Sequence, residues 1–235
     1  MASASGYAGR VGTSASGRRR VRRAAPFVAC GALTAGALVS CGGVAVVDRA
    51  RDGTPILLRS SQPDAEDLVA WHRQYGVRTV VNLRGPNEKK DWFAEEREGV
   101  RSIGARWIQL RVSGSKAPGP EVIEAFFEIV EDPANWPVLI HCHGGIHRTG
   151  LMAALYRIQY MGWDAERAVA ELESYGFDWT TRDRSALKRF LRSYVPDPSR
   201  TIDRAARGVG EAPCPPAPPP AASLGAVLAP RVGDR

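Results

Sequence analysis

His141-Cys142-His143-Gly144-Gly145-Ile146-His147-Arg148-Thr149-Gly150 is the stretch on which the reading of this chain turns. The apolar run Val138-Leu139-Ile140 precedes it and Leu151-Met152-Ala153-Ala154-Leu155-Tyr156 follows, which gives the order strand, tight loop, helix. A thiol opens the loop, an arginine stands six positions later, and two adjacent glycines lie between them. Such a loop can curl so that its N–H groups converge above a helix N-terminus, where N–H groups and helix dipole both favour an anion. A phosphate fits that cradle, and the planar fork of Arg148 can grip two of its oxygens. Sulfur placed in the same field is favoured as thiolate, the form in which Cys142 is a nucleophile.

Cys-x5-Arg followed by Thr, behind an apolar strand ending in His, resembles the signature loop of cysteine-dependent protein tyrosine and dual-specificity phosphatases. The wording His-Cys-x-x-Gly-x-His-Arg-Thr-Gly is most similar to the atypical dual-specificity branch of bacteria, plants and fungi. Arg59-Ser60-Ser61-Gln62-Pro63, Val80-Val81-Asn82-Leu83-Arg84 and Pro137-Val138-Leu139-Ile140-His141 extend the resemblance over roughly residues 55–195. It implies that Cys142 attacks phosphorus and forms a cysteinyl-phosphate. It further implies that Arg148 and the backbone of His143, Gly144, Gly145, Ile146 and His147 bind the phosphate, and that the Thr149 hydroxyl helps the thiolate depart. His141 is expected behind the loop, orienting it. No metal or other cofactor is implied. The expected partner is a phosphorylated protein or a small phosphate ester.

One part of the family's pattern is missing. Related phosphatases carry an aspartate about thirty residues before the cysteine to protonate the leaving oxygen. Here Leu110-Arg111-Val112-Ser113-Gly114-Ser115-Lys116 holds no carboxylate, and the next is Glu121. Glu121 opens a helix, where pairing with the dipole is a competing role, so the acid stays unassigned. His143 and His147 can contact phosphate or only line a pocket. Plant and fungal relatives include inositol pyrophosphate phosphatases, a substrate that Lys89, Lys90 and Lys116 would suit, although surface lysines are ordinarily just solvated. A non-catalytic phosphate-binding module is a further alternative, given the missing acid. A zinc site is disfavoured because Cys142 and its three neighbouring histidines are spaced too compactly, with no second cluster. An arsenate reductase would want shuttle cysteines nearby, and Cys142 stands alone between Cys41 and Cys214.

The rest of the chain divides by composition. Six arginines and no acidic residue precede Ala24, whereas residues 48–195 hold 21 basic and 21 acidic residues. The net charge of +7 thus belongs mainly to the N-terminus, and the domain carries no nucleic-acid footprint. The arginines followed by an uncharged run from Ala24 to Val47 read as a signal or membrane anchor over residues 1–47. Leu38-Val39-Ser40-Cys41 resembles a lipobox, which would make Cys41 the lipidated first residue; an uncleaved span is the competitor. Either places the domain outside the cytoplasm, at the bacterial cell envelope. Residues 48–53 read as a linker, 54–195 as the phosphatase domain and 196–235 as a disordered proline-rich tail.

Within the domain, Ser61 or Gln62, Pro63 and the acidic Asp64, Glu66 and Asp67 are expected to open a helix that Gly76 closes. Further helices are expected from Glu88 to a stop at Gly99, from Glu121 behind Pro120 to Glu131, through Met161, from Asp164 to Gly176, and from Asp183 to Tyr194. Strands are expected at Val77–Leu83, Ala105–Leu110 and Val138–Ile140. Strands alternating with helices predict an α/β fold with a mostly parallel sheet covered on both faces. The cysteine loop then falls at the carboxyl end of a strand, where open α/β sheets place ligands.

Overall fold

Val138, Leu139 and Ile140 are fully buried, and alternate side chains of this run enter two different cores, as the period of a strand requires. The computed structural model describes residues 43–180 and 182–205, the side chains of 182–184 excepted. Five strands form one sheet: β1 Ala45–Arg49, β2 Pro55–Ser60, β3 Thr79–Asn82, β4 Arg106–Gln109 and β5 Val138–His141. Their order is β1-β2-β5-β3-β4, parallel except for β1, which pairs antiparallel with β2. The strand before the cysteine is therefore central. Six helices cover the sheet: α1 Ala65–Tyr75, α2 Asp91–Ser102, α3 Pro120–Glu131, α4 His147–Met161, α5 Ala165–Ser174 and α6 Arg182–Ser193.

Leu58, Val80 and Leu139 pack on Leu68 and Trp71 of α1 and Val100 of α2. Leu57, Val81, Val138 and Ile140 pack on Phe126 and Phe127 of α3, Leu151 and Leu155 of α4, Leu172 of α5 and Leu191 of α6. The expected α/β class, with a mostly parallel sheet between two helical layers, is what the chain forms. Helix α4 is buried from Thr149 to Gln159, which explains its nearly continuous apolar sequence. Asp64 caps α1 by accepting from Asp67 N at 2.8 Å, and Gly76 closes it at φ 72°.

Two expectations are corrected. Gly99 does not end α2, which runs on to Ser102. A Cβ at Gly99 would lie 2.9 Å from Leu68 Cδ1 and 3.3 Å from Ala65 Cα, so glycine is there to let α1 and α2 approach. The domain's edges also lie further out than 54 and 195. Residues 45–49, read as the end of the targeting run and a linker, form β1. Val47 is buried, and Asp48 accepts from Tyr156 Oη at 2.8 Å and Arg204 Nη2 at 2.7 Å. Beyond Val195, Ile202 is buried, Arg200 pairs with Glu131 and Glu124, and Asp197 N donates to Gln159 Oε1 at 2.9 Å. Residues 196–205 are thus part of the domain, and the proline-rich stretch and Cys41 lie outside the described residues. Among the described residues no helix is long and apolar enough to cross a membrane.

Candidate active site

The four parallel strands end at one edge of the sheet, and the loop from Cys142 to Ile146 sits there because β5 is central. Asn82 and His141 are register partners, and Leu83 N donates to His141 O at 2.9 Å. Gln62 N, just past β2, donates to His143 O at 3.0 Å. Gly145 adopts φ 68°, and a Cβ there would lie 2.8 Å from Ser61 N and 2.9 Å from Ser60 C. A side chain at 145 would therefore push the loop off the end of β2. Arg59 closes the arrangement from below. Buried and stacked 3.8 Å from the centre of the Tyr175 ring, it donates to Gly145 O at 2.8 Å; burial lowers its proton affinity.

A cavity of about 510 Å³ opens at this edge, lined by Gly114, Ser115, Cys142, His143, Gly144, Ile146, His147 and Arg148. No carboxylate is among them. Cys142 lies at its floor, 3 % exposed, while His143 is exposed. Arg148 projects from the first turn of α4, and its Nε is buried without an acceptor among the described residues. The loop after β4 lies over this guanidinium, since a Cβ on Gly114 would lie 3.7 Å from Arg148 Nε and 3.8 Å from Nη2. A half-buried arginine with an idle, buried Nε donor, lining a pocket free of acidic groups, suits an anion that brings its own oxygens.

Thr149 and His141 sit behind the cavity. The Thr149 hydroxyl is buried and unpartnered. His141 is fully buried, with Nε2 3.1 Å from Glu96 Oε1. Glu96, which the reading of the sequence passes over, is the centre of this region. Its carboxylate also accepts from Trp107 Nε1 at 2.6 Å, Gln62 Nε2 at 2.7 Å and Asn82 Nδ2 at 3.3 Å. Burial alone would raise this carboxyl, but the hydrogen bond and charge of His141, then Gln62 and Trp107, outweigh it and hold the group below the usual carboxylate range. A lone glutamate on the buried stripe Phe93, Glu96, Val100 is the one signal that could have marked it. Glu121, by contrast, folds its carboxylate over Gly119 at the start of its own helix, away from the cavity lining.

A thiol, a guanidinium and a converging loop at the carboxyl end of a central parallel strand define a cysteine-based anion site on an α/β fold. Residues 45–189 match the family described as PTP-NADK, "DSP-PTPase phosphatase fused to NAD+ Kinase", and the chain belongs to that family. It is similar to the dual specificity protein phosphatase TpbA of Pseudomonas aeruginosa, 33% identical over 138 residues that make up 58% of this chain and 59% of the relative. It is also similar to the inositol diphosphatase SIW14 of Saccharomyces cerevisiae, 26% identical over 150 residues, 62% of this chain and 50% of the relative. The crystal structure of the core catalytic domain of SIW14 superposes with a TM-score of 0.51 at 26% identity, covering 60% of this chain and 82% of that one. The chain thus spans between half and three fifths of the length of these two curated relatives.

Proposed function

We propose that this protein is a cysteine-dependent phosphatase acting on phosphate monoesters through a cysteinyl-phosphate. The observation that carries the reading is the shared cavity of Cys142 and Arg148, in which Arg148 Nε has no acceptor among the described residues and no carboxylate is part of the lining. The Cys142 thiolate attacks phosphorus in line as the bond to the leaving oxygen breaks. Water then attacks the cysteinyl-phosphate, releasing inorganic phosphate and regenerating the thiolate. Arg148 and the loop N–H groups meet the charge on the equatorial oxygens in both steps, and the buried Thr149 hydroxyl supplies a donor for the departing sulfur. With no carboxylate lining the cavity, the leaving oxygen takes its proton from water or from the substrate's own phosphate. Esters with good leaving groups are therefore the best substrates. The residue set assigns no step to a metal.

The relatives bear on the substrate in two ways. TpbA supports a phosphoprotein, and SIW14 supports an inositol diphosphate as the second reading. The uncharged run behind six arginines, with Leu38-Val39-Ser40-Cys41 within it, supports a membrane-anchored protein facing away from the cytoplasm.

The purified full chain should hydrolyse p-nitrophenyl phosphate in the presence of a chelator. Cys142→Ser should lower kcat by about a thousandfold or more, as removal of a nucleophile does. Retained turnover in that variant, or activity that needs added metal, would overturn the assignment.

A further inference from the structure

Arginines packed into this domain are mostly neutralised. Arg157 pairs with Glu171, Arg200 with Glu124 and Glu131, and Arg204 with Asp48. Arg84 is different. It follows β3 at the same sheet edge as Cys142, half-buried, and among the described residues no carboxylate accepts a hydrogen bond from it. Its guanidinium stacks 3.4 Å from the centre of the Trp92 ring and donates through Nη1 to Gln62 Oε1 at 2.7 Å. Its backbone is fixed as well, because Arg84 N donates to Asn82 Oδ1 at 2.8 Å.

Gln62 connects this group to the cysteine loop. Its backbone N–H holds His143 O, and its side chain holds Arg84 at one end and Glu96 at the other. The nearest buried carboxylate is thereby saturated by Gln62, Asn82, Trp107 and His141 rather than by Arg84. Stacking uses the face of a guanidinium and leaves its edge donors free. Among the described residues, Arg84 Nε and Nη2 have no acceptor. Burial and then the charge of Arg148 lower its proton affinity, while Glu96 and then Cys142 oppose the shift. Arg84 is tied to the cysteine loop through Gln62, whose side-chain oxygen holds its Nη1 and whose backbone N–H holds His143 O, and two like charges at one sheet edge are stabilised when an anion arrives.

We propose that Arg84 is a second anion-binding group of this site, taking a second anionic group that the substrate carries beside the phosphate held by Arg148. The inference rests on the phosphatase reading for the first phosphate and adds a requirement on the substrate: a neighbouring phosphoryl or carboxylate within reach of a fixed fork. Either anion can accept two parallel N–H bonds from that fork.

Calorimetric titration tests this without turnover, using the full chain carrying Cys142→Ser so that no ligand is consumed. The probes are inorganic phosphate, pyrophosphate and phosphonoacetate. Pyrophosphate or phosphonoacetate should bind about tenfold or more tighter than phosphate, and whichever does so identifies the second group as phosphoryl or carboxylate. Adding Arg84→Ala should reduce that ratio to less than about threefold. Adding Arg84→Lys, which keeps the charge but loses the fork, should leave it well short of the original. A ratio unchanged by Arg84→Ala, or fully kept by Arg84→Lys, would overturn the role of Arg84 while leaving the phosphate site intact. No binding of phosphate by any form would remove both readings together.

Discussion

Glu96 and Asp48 each gather a hydrogen-bond network inside one domain, and their partners differ in kind. Glu96, under the cysteine loop, is 1 % exposed and accepts from Trp107, Gln62, Asn82 and His141, with no guanidinium among them. Asp48, on the edge strand, is occupied by the Arg204 guanidinium and the Tyr156 hydroxyl. Near the cavity the buried negative charge is satisfied mainly by uncharged donors, so the arginines there stay available to a ligand. Away from it, positive and negative charge are matched and used for cohesion. A buried carboxylate can therefore be present in an anion-binding region without competing for the anion, provided that its lone pairs are already filled.

The sharpest way to break this contrast is to cut away the Asp48 side. A fragment of residues 54–195 loses β1 and the segment bearing Ile202 and Arg204. Buried apolar side chains are worth about 1.5–3 kcal/mol each, and Tyr156 is left with a buried, unpaired hydroxyl. The expected loss is about 5 kcal/mol or more, seen as a Tm lowered by roughly 10–20 °C in calorimetry. Where the fragment is still folded, its kcat/KM on p-nitrophenyl phosphate should match that of the full chain. An equal Tm would show that the edge strand holds nothing together.

Glu96→Gln tests the other network. Whichever way the amide turns, its NH2 meets donors that the carboxylate oxygen accepted. Leaving such donors unsatisfied costs about 1–3 kcal/mol, or roughly 2–10 °C in Tm. Here kcat/KM should fall too, because Gln62 and His141 lose the group that fixes them beside the loop. Acid sharpens the result. The Glu96 carboxyl is lowered in the folded chain, against about 4.3 when unfolded. Its stabilisation is thus complete above that unfolded value and is lost as pH falls through the lower folded one. The Tm gap between the two proteins should narrow on acidification, and a gap that widened would contradict the assigned charge state.

Tyr156→Phe should have the smallest effect. It removes one hydroxyl from Asp48, whose pairing with Arg204 remains. About 1 kcal/mol is expected, a Tm shift of roughly 2–4 °C, with unchanged turnover. A loss of activity in this variant would mean that the two networks are coupled through α4.

How much of this was legible beforehand follows from the range of the interactions. The loop from His141 to Gly150, its flanking strand and helix, and the cap at Asp164 depend on neighbours in sequence, and they stand where local chemistry puts them, whereas α1 is capped by Asp64 and not by Ser61 or Gln62. Glu96 depends on no such neighbours. It is one acidic residue among several in α2, and only His141, 45 positions away, distinguishes it. Gly99 looked like a stop because its true reason, contact with Leu68 and Ala65 of α1, is also distant. The sequence Ala45-Val46-Val47 continued an uncharged run, so its pairing with β2 was hidden by composition. Residues 196–205 were masked in the same way by the prolines that follow them.

The clasp of Asp48 with Arg204 has a mechanical consequence. It brings the two ends of the folded domain together, with Arg51 N also donating to Arg204 O at 3.0 Å. Tension transmitted along the chain from both sides would thus load this junction and the β1–β2 pairing first. The cysteine loop ends at Ile146, ten residues before Tyr156, about 15 Å at the helical rise. It is off that line of force, so a pull strong enough to peel the edge strand could leave the cradle of Cys142 undeformed.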